Sequence, residues 1–255
     1  MLDSVWFILT VCLVGGFFAG AINTLAGNGS AITLGIMTDL LAFPPQLANG
    51  TNRVGLLAQG ISSGFAFKKY DKLPKSGFWP IVITMLVGAI IGVILAVVVS
   101  TEKFVAVYRG MMVVMLLILL IKPERWVTSE THHSEVKKPI YFYPILFVLG
   151  IYGGFLQMGM GLFFMAVLVL LGKYTIMETN IIKLVAVTLY TALVLAIFAY
   201  QGLVDWKYGI IISVGQAIGG WVAARYGSKS EKANQTAYYL LVTIVILVLI
   251  NQFFL

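Results

Sequence analysis

Two glycine-rich joints, Gly27-Asn28-Gly29 and Gly159-Met160-Gly161, are where this chain concentrates residues able to do chemistry. Glycine lets the backbone turn sharply and approach a ligand closely. A helix that begins just after such a joint aims unpaired N–H groups and the positive end of its dipole at it. Short helices starting at Ser30 and Leu162 would do this, and an anion is the natural occupant. The backbone of Gly27, Gly29, Gly159 and Gly161 is therefore a candidate anion site. The competing reading is that these glycines only allow tight helix packing, as Gly88-x-x-x-Gly92 would.

Polar residues gather around the joints. Asn23, Thr24, Asn28 and Ser30 surround the first, and Gln157 precedes the second. Asn49-Gly50-Thr51-Asn52-Arg53 opens a later apolar segment that also carries Gln59, and Thr179-Asn180 opens its counterpart, followed by Lys183. The candidate substrate ligands are thus Asn28, Ser30, Thr51, Asn52, Arg53, Gln157, Thr179, Asn180 and Lys183. An arginine offers a planar donor fork suited to oxyanions, and a charge inside a membrane segment is costly enough to suggest function. Against this, Arg53 and Lys183 each lie near a segment start and would also be able to snorkel to an interface. Replacing Arg53 by Ala is expected to weaken anion binding more than folding.

Other features carry less. His132-His133, between Glu130 and Glu135, reads as a solvated linker and not as a metal site. Asp39 and Glu178 are the acids nearest the candidate site, where a desolvated carboxyl would carry a coupling proton; both also fit interface positions. Arg109 reads as a snorkelling residue, and Trp6, Trp79 and Trp206 as interfacial anchors. The apolar segments hold no acid–base pair and no metal-ligand set, so no catalytic residue, cofactor or metal is expected, and an enzyme is disfavoured.

The elements that must position these residues follow from composition. Of 255 residues, 60% are hydrophobic and 11% charged, against about 25% charged in soluble domains. Mean hydropathy is +0.97. A water-facing surface cannot be built from so few charges, which excludes a cytosolic enzyme, a disordered chain and a nucleic-acid-binding module. The expectation is an all-α polytopic membrane protein. The net charge of +7 sits mostly in short loops, as orientation signals do. Cys12 is the sole cysteine, so no intrachain disulfide forms. The N-terminal run has Asp3 and no basic residue ahead of it, unlike a secretory signal, and reads as a retained first segment.

Ten apolar stretches occur, at 4–26, 30–43, 46–67, 77–100, 104–121, 140–158, 160–172, 176–200, 206–225 and 234–255. Crossing the hydrocarbon takes about 20 residues; 30–43 and 160–172 are too short and read as half-helices or re-entrant hairpin arms. Residues 122–139 form a polar linker between a first membrane repeat, 1–121, and a second, 140–255. The alternating loops divide the basic residues unevenly. One set holds Lys68, Lys69, Lys72, Lys75, Lys122, Arg125, Lys137, Lys138, Lys173, Arg225, Lys229 and Lys232; the other holds only Lys103 and Lys207. The linker is therefore expected in the cytoplasm and both termini outside.

The halves also repeat. Thr101-Glu102-Lys103 matches Ser230-Glu231-Lys232, Thr51-Asn52 matches Thr179-Asn180, and Gly88-x-x-x-Gly92 matches Gly215-x-x-x-Gly219, all in the same order. Five stretches per half make the repeats inverted, a common plan of secondary transporters, whose substrate lies where the repeats meet.

The run Gly15-Gly16-Phe17-Phe18-Ala19-Gly20 leading to Gly27-Asn28-Gly29-Ser30, with Phe43-Pro44-Pro45-Gln46-Leu47-Ala48-Asn49-Gly50-Thr51-Asn52, resembles the TauE/SafE sulfite exporter family. Gly154-Phe155, Gly159-Met160-Gly161, Thr179-Asn180 and Gly202-Leu203-Val204-Asp205-Trp206 are similar to its second half, so the resemblance covers nearly the whole chain. It implies a bacterial inner-membrane carrier exporting sulfite, sulfoacetate or a related organosulfonate. The family's glycine signatures fall on Gly27, Gly29, Gly159 and Gly161, and its threonine signatures on Thr51 and Thr179. Asn28 and Met160 replace the glycines usual inside the joints, the second substitution making that joint less polar. The expected partners are the small anion and the lipid bilayer, with a coupling proton or cation and a homo-oligomer compatible with such a carrier. An uncoupled anion channel, or a carrier of a non-sulfur organic anion, fits the same residues.

Overall fold

The computed structural model describes residues 5–68, 77–120 and 138–227. Among these residues the chain is helical, with no strand: α1 (Val5–Ala26), α2 (Ser30–Gly35, continued by a π-helical turn, Ile36–Leu40), α3 (Pro45–Lys68), α4 (Trp79–Val98), α5 (Thr101–Leu120), α6 (Phe142–Phe155), α7 (Met160–Leu170), α8 (Ile176–Tyr200) and α9 (Trp206–Val222, continued by a π-helical turn, Ala223–Gly227). The tenth apolar stretch, 234–255, lies outside the described residues, as does the linker from 122 to 137 with His132 and His133.

Helix starts follow local chemistry. Pro45 opens α3 and Pro80 lies in the first turn of α4, positions where the missing N–H costs nothing. Thr175 and Glu178 form a reciprocal capping box at α8, and Asp205 Oδ1 accepts the Tyr208 N–H at 3.0 Å to cap α9. Gln46 ties three elements: its Nε2 donates to the carbonyls of Ala96 and Val99, and its Oε1 accepts from the Thr101 hydroxyl.

Three described helices, Val5–Leu25, Trp79–Val98 and Glu178–Tyr200, are long and apolar enough to cross a membrane. Ser30–Leu40 and Met160–Leu170 are short, each covering about 16 Å at 1.5 Å per residue, half the hydrocarbon thickness. The first begins right after its glycine joint, the second within its own. The second starts at Met160, two residues earlier than expected, because left-handed Gly159 already turns the chain. The stretch 140–158 is also cut short: α6 stops at Phe155, and Leu156 and Gln157 both donate to the Tyr152 carbonyl as the chain turns left-handed.

Glycines set the packing. A Cβ on Gly16, Gly20, Gly215 or Gly219 would lie 1.9–2.6 Å from backbone oxygen of the facing helix, so α1 and α9 touch backbone to backbone. Gly88, Gly92, Gly150 and Gly154 do the same for α4 and α6, with approaches of 2.0–2.5 Å. Register gives direction. Gly16 meets Ile212 and Gly20 meets Gln216, so α1 and α9 run parallel; Gly88 meets Phe147 and Gly92 meets Ile151, so α4 and α6 do too. By contrast, Gly50 meets Phe198, Gly60 meets Thr188 and Gly64 meets Leu184, so α3 and α8 are antiparallel. The outer surface is apolar: Val98, Leu117, Val148 and Ile210 are exposed, as are Trp6, Trp79 and Trp206 near helix starts. An apolar exterior of this kind is built for lipid.

Candidate functional site

The two joints meet. A Cβ on Gly27 would lie 2.7 Å from the Gly161 carbonyl carbon, and one on Gly161 2.6 Å from the Gly27 oxygen, so neither position admits a side chain. Beside this contact lies a small, partly open cavity. Its walls are Asn23, Thr24 and Gly27 from the first joint; Leu56, Gln59 and Gly60 from α3; Gln157, Met160 and Gly161 from the second; and Asn180, Lys183, Leu184, Val187 and Thr188 from α8.

Lys183 is the charged residue on this wall. It is 6% exposed; its Nζ donates to Asn180 Oδ1 at 3.0 Å and lies 3.6 Å from Met165 Sδ. No carboxylate among the described residues pairs with it.

Arg53 is used differently. It is wholly buried and clamps the C-terminus of α6: Nη1 donates to the Gly153 carbonyl at 2.8 Å and to Gln157 Oε1, and Nη2 to the Gly154 carbonyl at 3.2 Å and Asn49 Oδ1 at 3.4 Å. Asn49 Nδ2 donates to the Phe155 carbonyl at 2.8 Å. One guanidinium and one amide thus satisfy three terminal carbonyls of α6, the negative end of its dipole. Arg53 reaches the cavity only through Gln157.

Gln157 has φ +66°, a left-handed conformation that costs a non-glycine residue about 1–2 kcal/mol. Glycine is the usual occupant of such a helix-ending position. Here the position holds a buried glutamine instead, whose Oε1 accepts from Arg53.

Of the candidate residues, the structure brings Gly27, Gly161, Gln157, Asn180 and Lys183 together on the cavity. The others lie off its wall. The Thr51 hydroxyl accepts the Asp205 N–H at 2.9 Å and so fixes the start of α9. Asn52 Oδ1 accepts from Thr33 and Gln216. Asn28 is wholly buried with neither amide atom partnered among the described residues, and the Thr179 hydroxyl is likewise orphaned. Ser30 is buried beside Gly29 at the start of α2, and Gly159 turns the chain into α7. Asp39 is exposed and accepts from Thr38, while Glu178 is spent in its capping box, so neither carboxyl reaches the cavity wall.

Sequence reasoning placed Asn23, Thr24 and Gln59 near the joints without selecting them as ligands. The structure joins them in one chain: Asn23 Nδ2 donates to Gln59 Oε1, Gln59 Nε2 to the Thr24 hydroxyl, and that hydroxyl to the Gly20 carbonyl. Thr188 had no signal in the sequence; it lines the cavity because it packs on Gly60.

A family model, "Sulfite exporter TauE/SafE", matches residues 12–250. "Probable membrane transporter protein ORF9" of Sinorhizobium sp is 27% identical over 232 residues, 89% of this chain and 85% of that protein. "Probable membrane transporter protein" of Haemophilus influenzae is 24% identical over 219 residues, 86% of this chain and 84% of that one. "Probable membrane transporter protein YunE" of Bacillus subtilis is 23% identical over 267 residues, 96% of each chain. No solved structure matches. With the family model spanning nearly its whole length, this all-helical transmembrane chain belongs to the sulfite exporter TauE/SafE family of membrane transporters.

Proposed function

We propose that this transporter exports a small sulfur-containing anion, such as sulfite, sulfoacetate or a related organosulfonate, across the bacterial inner membrane by alternating access. The observation that carries the reading is Lys183, a buried ammonium on a cavity wall without a carboxylate partner among the described residues. A charge removed from water needs a counter-charge, and the substrate anion supplies it. The matched family is described as a sulfite exporter, which favours sulfur as the central atom.

The packing supports a carrier built of two inverted halves, 1–121 and 140–255. Exchanging α1 with α6, α3 with α8 and α4 with α9 turns the parallel α1–α9 pair into the parallel α6–α4 pair and maps the antiparallel α3–α8 pair onto itself. The cavity then lies where the hairpin tips of the two halves meet, as in other inverted-repeat carriers. With the more basic loops inside, both termini face the periplasm and the linker faces the cytoplasm.

A thermal-shift screen of the detergent-purified protein tests the substrate class. A ligand at 100 times its Kd adds about 2.7 kcal/mol to the native state. Sulfite or sulfoacetate should raise Tm in wild type and leave Lys183→Met unmoved. A shift given only by carboxylates, or one kept in full by Lys183→Met, contradicts the proposal.

A further inference from the structure

We infer that the second joint and α8 present to the cavity a wall of hydrogen-bond donors, its polarity fixed by Arg53 and Lys183, and that this wall selects a ligand head bearing acceptor oxygens alone. The inference rests on the anion-carrier reading above and deepens it.

A carboxamide is ambiguous in principle, since either end can face a ligand. Here the ambiguity is removed. Arginine and lysine donate and never accept, so whatever atom faces them is an oxygen. Gln157 has its Oε1 turned to the Arg53 guanidinium, and Asn180 has its Oδ1 turned to the Lys183 ammonium. The NH₂ groups of both amides therefore remain for the cavity that both residues line, and neither donates to any described residue. With the Lys183 ammonium, three donor groups converge there. Acceptors are kept to the opposite wall, where the back-bond from Thr24 to Gly20 fixes Gln59 and leaves Asn23 Oδ1 open.

A sulfite or sulfonate head, with acceptor oxygens only, satisfies every donor of this wall. A head carrying an ammonium or amide N–H would set donor against donor, which leaves buried groups unpaired, the strongest basis for rejection available to a polar site. In this arrangement Arg53 is a positioning residue, acting through Gln157 and not on the substrate.

Isosteric substitution tests the polarity. Gln157→Glu keeps an oxygen for Arg53, and improves it to a carboxylate, while replacing the cavity-facing NH₂ by an anionic oxygen. Asn180→Asp does the same beside Lys183. Sulfite binding to purified protein, measured by isothermal titration, should weaken at least about tenfold in each. If Gln157 only caps Arg53, Gln157→Glu will bind sulfite like wild type, which overturns the inference. Gln157→Gly provides a second arm, because glycine accepts the left-handed backbone and keeps the fold; it too should lose affinity, and wild-type affinity in it contradicts the proposal. Lys183→Met separates the two levels. Lost binding in that variant with unchanged binding in Gln157→Glu defeats the inference alone. No binding of sulfite, sulfoacetate or isethionate by wild type defeats the carrier reading, and the inference with it.

Discussion

At the residue scale, two cations that look alike in the sequence sit in different surroundings, and stability separates them. Arg53 satisfies four acceptors and Lys183 one amide oxygen and a thioether sulfur. Arg53→Ala strips the Gly153 and Gly154 carbonyls of their donors and should cost about 3–6 kcal/mol, since bonds to charged groups contribute about 1.5–3 kcal/mol each. Thermal unfolding in detergent measures this, with Arg53→Lys expected between, because an ammonium lacks the fork. Setting this cost beside the loss of anion affinity tests the sequence-based expectation that Arg53→Ala weakens anion binding more than folding. Lys183→Met should unfold at the same temperature as wild type or higher, because a buried charge is replaced by an apolar chain of similar length. A large drop in its Tm contradicts that account. Both cations were legible as buried charges, but which carbonyls Arg53 caps depends on α6 ending at Phe155. That end is set by a left-handed glutamine inside an apolar run, where hydropathy gives no signal.

At the element scale the fold was mostly legible. The stretches expected at 77–100 and 176–200 are α4 and α8 within two residues, because length and apolarity decide them. The short helices were also readable, since the stretches 30–43 and 160–172 fall short of the about 20 residues that span the bilayer. Which glycines are contacts and which are incidental was not, because both kinds look alike in apolar sequence. Gly92 and Gly110 make the distinction testable. A Cβ on Gly92 lies 2.0 Å from the Ile151 oxygen, whereas one on Gly110 meets nothing within 4 Å. Gly92→Ala should force α4 from α6 at about 1–3 kcal/mol. Gly110→Ala should leave stability unchanged or raise it by about 0.5–1 kcal/mol through helix propensity. Equal Tm values for the two variants contradict the packing described.

At the scale of the whole molecule, the proposal is a carrier whose two hairpin tips close on one anion. Topology is checked with single cysteines in a Cys12→Ala background. Lys207→Cys should react with a membrane-impermeant maleimide from the periplasm, and Lys72→Cys only after permeabilisation; the reverse pattern inverts the molecule. The charges that predict this are visible in sequence, while the cavity is not, because Gly60, Thr188 and Lys183 meet only when antiparallel α3 and α8 pack. The central claim is that a substrate anion neutralises Lys183 in that cavity during each transport cycle. Counterflow of ³⁵S-sulfite in proteoliposomes tests it most directly. Uptake should saturate, accelerate when unlabelled sulfite is inside, and vanish in Lys183→Met. Flux that rises linearly with concentration, ignores internal sulfite and survives in Lys183→Met would contradict the account.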